Sequence, residues 1–272
     1  MKKILMLLAA SAVLTLAFLA GTVSAYADSG DHVDIDKSHV DSGRVDVKYE
    51  EKTDNKVKLM VEKSLRYTYN LKAGSNYEAF PLQMGDGEYK VSVLENIGGT
   101  KYRFVHSEKL SAQVKDEAKV YLNSIQMVRW DSNTKAVKKA VELTSGKKTD
   151  QEKIKALYDY VVKLGTYDYD KLGKLPYNYL PDADRTIAEK SGVCYDFASL
   201  LAVMLRSQGI PVKLVMGYTE NVEGYHAWNE IYNSKTGLWM TVDATYDLQM
   251  RAAKVKTVME KDVREYSKKY EY

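Results

Sequence analysis

The sequence predicts an α+β chain: a small antiparallel β-sandwich-like domain followed by a mixed domain of helices and strands. Three observations predict it. Apolar and polar residues alternate through residues 44–114. The apolar spacing turns helical from about residue 115. A thiol-bearing helical segment is then followed by two strand-like runs, one carrying a His and the other an Asp. A period of two marks strands and a period near 3.6 marks helices.

Residues 1–27 read as a signal peptide. Lys2 and Lys3 supply a positive end, Ile4 to Ala20 is apolar apart from Ser11 and Thr15, and Ala25-Tyr26-Ala27 fits the small-x-small cleavage pattern. The apolar run is short for a membrane span, so cleavage is expected over an uncleaved anchor, with no stable membrane insertion afterwards. The segment 28–43 is acidic, with His32 and His39 among Asp28, Asp31, Asp34, Asp36 and Asp41. It lacks the Gly-punctuated spacing of a calcium loop, and a flexible, solvated segment is expected.

Between 44 and 114 the alternating runs are Val45-x-Val47-x-Tyr49, Val57-x-Leu59-x-Val61, Leu65-x-Tyr67-x-Tyr69-x-Leu71, Tyr89-x-Val91-x-Val93-Leu94, and Tyr102-x-Phe104-Val105. Gly, Asn and Asp turns separate them, giving five or six short antiparallel strands. Nothing in them has catalytic spacing, so an accessory β domain is expected.

The segment 115–250 carries the second domain. Thr134 to Leu143 has helical spacing. Thr149-Asp150-Gln151-Glu152 is a capping-box sequence, in which the Thr hydroxyl and the Glu carboxylate each serve an orphan amide. Ile154, Leu157, Tyr158, Val161 and Val162 follow at helical spacing, and Gly165 marks the stop. Tyr167 to Pro181 reads as an aromatic loop. Asp184 is placed to cap a short helix running through Ile187 and ending at Gly192.

Cys194 is the single cysteine, so an internal disulfide is excluded. It opens a helix whose apolar stripe is Phe197, Leu200, Leu201, Met204 and Leu205, with Gly209 and Pro211 beyond. The first amides of a helix lack internal partners and carry partial positive charge. That position favours a thiolate, and the same amides can donate to an oxyanion formed when the thiolate attacks a carbonyl.

Val212 to Tyr218 then reads as a strand. Tyr225 to Tyr232 and Leu238 to Thr245 read as a hairpin around Ser234-Lys235-Thr236-Gly237. A four-residue loop pairs residues whose numbers sum to 471 and sets Trp228 opposite Asp243. His226 is then the diagonal neighbour of Asp243 on one face, within side-chain reach. A five-residue loop would separate them. Cys194 as nucleophile, His226 as base and acid, and Asp243 as orienting group make the expected catalytic set.

Ser191-Gly192-Val193-Cys194, Arg206-Ser207-Gln208-Gly209-Ile210-Pro211, His226-Ala227-Trp228 and Val242-Asp243-Ala244-Thr245 together resemble the bacterial transglutaminase-like superfamily, over about residues 150–246. The resemblance implies a papain-like α+β transglutaminase core with a Cys-His-Asp triad at Cys194, His226 and Asp243. Ala244 stands where Pro is common in that family. The resemblance also implies a second oxyanion donor upstream of the cysteine, for which Tyr177, Asn178 and Tyr179 are the candidates. Trp228 is a candidate wall for an acyl groove. The β region and the charged segment 251–272, with its Tyr-rich end and expected helical character, lie outside the resemblance.

Composition limits the functions. Taking the two leader lysines from 40 basic residues leaves 38 against 37 acids, a balance of +1 that gives no pull toward nucleic acid. No cofactor is implied: the four His are scattered, one Cys cannot build a thiolate zinc site, and no phosphate-binding Gly motif is present. The expectation is a secreted or cell-surface hydrolase or acyltransferase working on a protein or peptide substrate, including one held at the cell wall. The rival is a non-catalytic surface protein that binds through its β domain.

Overall fold

The computed structural model describes residues 32–272. The expected signal peptide, 1–27, lies outside the described residues, as do residues 28–31.

The β region begins earlier than its pattern suggests. Strand β1 (Val33–Asp36) pairs antiparallel with β2 (Arg44–Tyr49), and β2 pairs with β5 (Gly74–Pro81). The expected flexible segment is therefore ordered from Val33. Its backbone bonds to β2, and Val40 is buried in a single 3-10 turn over Val40–Ser42. The second sheet runs β4-β3-β6-β7, from β3 (Val57–Glu62), β4 (Arg66–Leu71), β6 (Gly87–Gly98) and β7 (Lys101–Ala112). Val45, Val47 and Phe80 of one sheet share a buried cluster with Leu59, Val61 and Val91 of the other. Tyr69 and Phe80 bridge the sheets at 4.9 Å between ring centroids. Strand β5 shows no period-two pattern, because only its C-terminal end is buried.

No linker separates the halves. A 3-10 helix over Glu117–Leu122 leads to α1 (Lys135–Thr144), and Val120 and Tyr121 enter the shared core. Helix α2 (Asp150–Lys163) starts with the expected capping box. Gly165 is required by contact rather than by φ: a Cβ there would lie 1.7 Å from the Lys190 carbonyl oxygen. The expected loop instead holds strand β8 (Thr166–Tyr167) and the short helix α3 (Tyr169–Leu172). Helix α4 (Ala183–Glu189) is capped by Asp182, not Asp184, and stops at Lys190 in the left-handed region. Asp184 faces the other way and accepts from the Lys135 and Ala136 amides at the start of α1.

After strand β9 (Ser191–Gly192), helix α5 (Cys194–Arg206) runs through the core, buried on every face after Tyr195. Arg206 explains its own motif. It is buried, and its guanidinium donates to the carbonyls of Val212, Asn123 and Tyr272 at 2.7–3.0 Å. It therefore clamps three chain segments and stands away from chemistry.

Strands β10 (Val212–Thr219), β11 (Val222–Asn233) and β12 (Leu238–Val242) form an antiparallel sheet in the order β12-β11-β10-β13. Helix α6 spans Ala244–Ala252. The expected helical end is instead β13 (Tyr266–Glu271), which pairs with β10. Its charges are absorbed by ion pairs: Lys268 meets Glu230 of β11 at 2.9 Å and Glu271 of its own strand at 2.6 Å. Among the described residues no helix is long and apolar enough to cross a membrane.

Candidate active site

The hairpin register decides whether the candidate residues meet. Asn233 pairs with Leu238 and Asn229 with Val242, so paired numbers sum to 471 and the loop holds four residues. Asp243 is the next residue. It is the N-cap of α6, with its carboxylate accepting from the Tyr246 amide at 2.9 Å. The same carboxylate meets His226 Nε2 at 2.7 Å and accepts from the Tyr266 hydroxyl at 3.1 Å.

Both groups are buried, His226 to 2% exposure and Asp243 to none. Burial opposes the imidazolium, but the Asp243 charge and hydrogen bond outweigh it, with Cys194 adding a further hydrogen bond. His226 is pushed up to about 10. For Asp243, burial acts to raise the carboxyl, and the His226 charge and hydrogen bonds from His226, Tyr246 and Tyr266 hold it below its usual range. The pair is therefore an ion pair at neutral pH. Nε2 faces Asp243, which leaves Nδ1 for the thiol.

Cys194 is the first residue of α5 and is 8% exposed. Val193 offers no capping side chain. Asp196 reaches back instead and accepts from the Val193 amide at 2.9 Å. Asp196 has no exposure; Lys171 donates to it at 2.7 Å, and the Tyr179 hydroxyl also donates to it. A carboxylate in the first turn complements the helix dipole, and Lys171 offsets its charge beside the thiol. Gly192 is needed here, because a Cβ would stand 2.8 Å from Asp196 Cβ.

The residue that sequence reasoning missed is Tyr167. Thr166 and Tyr167 pair in parallel with Ser191 and Gly192, which carries Tyr167 to the start of α5. Its hydroxyl lies beside the backbone amide and the thiol of Cys194, close enough for both to act on its proton. Burial, foremost, and Cys194 beside it raise its pKa, so the hydroxyl keeps its proton. Its position upstream of the cysteine was the available signal, but a two-residue strand has no periodicity to reveal it.

The three candidate oxyanion donors are each exposed or engaged elsewhere. Tyr177 is 59% exposed, with Lys56 Nζ 4.3 Å from its ring centroid and its carbonyl accepting from Asn70 of β4. Asn178 is exposed. Tyr179 is held by Asp196 and by Arg185 at 2.9 Å. Nor is Trp228 an open groove wall. It is 1% exposed, stacks behind His226 with centroids 6.3 Å apart, and meets Tyr266 edge-on at 5.1 Å.

A thiol at a helix start, paired with a strand His that is oriented by a buried Asp, is the arrangement of a cysteine-enzyme family. Residues 137–244 match the family model of the transglutaminase-like superfamily. The Uncharacterized protein YebA of Bacillus subtilis (strain 168) is 32% identical over 124 residues, which cover 39% of this chain and 17% of that protein. The Uncharacterized protein ML0607 of Mycobacterium leprae (strain TN) is 41% identical over 69 residues, 22% of this chain and 24% of that one. The chain thus spans under a quarter of the length of either relative. A putative cysteine protease from Cytophaga hutchinsonii aligns at a TM-score of 0.42 and 18% identity, covering 74% of this chain and 71% of that chain.

Proposed function

We propose that the chain is an exported thiol enzyme that breaks amide bonds through a thioester on Cys194. One observation carries the reading: a buried imidazole lies between the Cys194 thiol and the Asp243 carboxylate, with its pKa pushed up to about 10. An imidazolium is the partner a thiolate needs, and it is also the acid that a leaving amine needs.

In the first half, the Cys194 thiolate attacks the amide carbonyl carbon, forming the C–S bond. The oxyanion accepts from the Cys194 amide and from the Tyr167 hydroxyl. His226 gives its proton to the amine nitrogen, the C–N bond breaks, and the amine leaves. In the second half, neutral His226 takes a proton from water as the water oxygen attacks the thioester. The C–S bond breaks, and acid and imidazolium–thiolate pair are regenerated. An amine in place of water would give a new amide by the same steps. We assign hydrolysis as the basal reaction, because it needs no second substrate. Asp243 fixes the imidazole and balances its charge. The leader expected at 1–27 is the basis for export.

The test is intact-mass analysis of the protein after exposure to peptide and cell-wall amides, with and without added amines. An acyl adduct on Cys194 is expected, discharged to free acid in water. Cys194→Ala should lose the adduct and at least about 10⁴-fold in kcat. Undiminished turnover in that variant would sink the proposal.

A further inference from the structure

A second cleft, of about 310 Å³, opens where the β region meets the β10–β13 sheet. It is distinct from the Cys194 site. Lys213 lines it, four residues along β10 from Gly217, the residue paired with His226. At about 3.3 Å per residue, that is roughly 13 Å from the triad histidine.

Three aromatic rings wall the cleft. Tyr232 and Trp239 stand 5.2 Å apart between centroids, and Tyr121 meets Trp239 edge-on at 5.3 Å. The polar lining is rich in acceptors: the carboxylates of Asp116, Glu117 and Glu271, and the side chain of Gln83. Gln83 Nε2 donates to the Glu271 carbonyl at 3.1 Å, but Oε1 is buried with no hydrogen-bond partner among the described residues. An unpaired buried acceptor is costly, so this atom calls for a donor from a ligand.

The one cation is already engaged. Lys213 Nζ lies 4.4 Å from the Trp239 centroid and 4.9 Å from that of Tyr121, and it bonds Glu271 at 3.1 Å. Lys213 therefore covers one face each of Trp239 and Tyr121, and no ligand ammonium is called for there. Glu271 is filled by Tyr121, Lys213 and Lys268, so what remains is apolar wall, the Asp116 and Glu117 carboxylates, Gln83 Oε1 and one ammonium donor. That set suits a ligand with many hydroxyl donors, a few carbonyl acceptors and apolar C–H surface. The volume sits at the lower end of small-molecule pockets, enough for about one sugar ring.

We propose that this cleft is a saccharide-binding site. Sugar hydroxyls donate to Gln83 Oε1 and to the Asp116 and Glu117 carboxylates, and the ring lies against Tyr232 and the side of Trp239 away from Lys213. A carbonyl such as that of an N-acetyl group accepts from Lys213. The site stands whether or not Cys194 is catalytic; if it is, the separation suits an amide substrate that carries a glycan.

Isothermal titration of the purified protein with N-acetylglucosamine trisaccharide, cellotriose and cadaverine tests it. Saturable binding of at least one saccharide is expected, with cadaverine weaker. Trp239→Ala should raise that Kd at least 10-fold and Gln83→Met about 3- to 10-fold. Trp239→Phe, which keeps an aromatic wall, should stay within about 3-fold and show that the fold tolerates change there. No saturable saccharide binding, tighter binding of cadaverine, or unchanged affinity in both Trp239→Ala and Gln83→Met would overturn the proposal.

Discussion

At the scale of single residues, the charge on His226 sets the pH behaviour. Asp243 holds the imidazolium against its own burial, up to about 10. Because the folded value lies above the ordinary 6.5, this contribution to stability is full below about pH 6.5 and lost as pH rises to about 10. Asp243 works in the opposite sense: its depressed pKa stabilises above the ordinary carboxylate range, and that contribution is lost as pH falls through the folded value. Turnover should therefore persist well above neutral pH and fall through an alkaline limb near the His226 value. Asp243→Asn removes the opposing charge and should move that limb down by about 1–3 pH units, read from kcat/KM against pH. Tyr167 makes a separate prediction. Removing its hydroxyl takes away one of the two proposed oxyanion donors while the ring still packs. Tyr167→Phe should lower kcat by about 10²-fold with KM little changed, measured by steady-state kinetics on a small amide. An equal loss from Tyr179→Phe would place the donor on the other side of the thiol.

At the scale of elements, the start of α5 is built by contacts that are remote in sequence. Asp196 serves the Val193 amide, Lys171 and Tyr179 from a fully buried position. Asp196→Ala leaves a buried amide and a half-buried ammonium without their acceptor. It should cost about 2–4 kcal/mol in urea unfolding, and it should also lower kcat because Cys194 loses its seat. Asp196→Asn keeps the cap and should recover part of both losses. The two halves of the site differ in how much of them the sequence reveals. The hairpin was legible because register is arithmetic: once the loop is four residues, His226 and Asp243 must lie on one face. The helix was legible because Cys194 precedes a 3.6-period stripe. Tyr167 and Lys171 were not, because β8 has two residues and α3 has four, too short for any period. Strand β13 is not legible because Tyr-Ser-Lys-Lys-Tyr-Glu has no apolar alternation and is largely exposed after Tyr266; its pairing depends on β10, which its own sequence does not show.

At the scale of the whole molecule, β13 joins the two regions. Its backbone extends the β10 edge, and the Tyr272 carbonyl after it receives Arg206 and the Leu214 amide. Aromatic side chains at and just past its end meet the β region: Tyr270 meets Tyr67 at 5.5 Å, while Tyr272 meets Tyr67 at 5.7 Å and Tyr69 at 6.0 Å. Glu271 takes hydrogen bonds from Tyr121 and Lys213, and its carbonyl accepts from Gln83. Near its start, Tyr266 orients Asp243. One strand therefore holds the β region, the connecting segment and the triad together, and the buried cluster is continuous across both regions. Unfolding should then be a single cooperative transition despite the two kinds of secondary structure. Tyr272→Ala removes an aromatic side chain from the junction and should cost about 3 kcal/mol, as large aromatic deletions do. For a chain of this size that is a fall in Tm of about 6–12 °C. Because the strand couples both regions, the transition should stay single and move as a whole in calorimetry. Two separated transitions in the variant, with the lower one reporting the β region alone, would mean that the regions are stabilised independently and that the strand merely touches them.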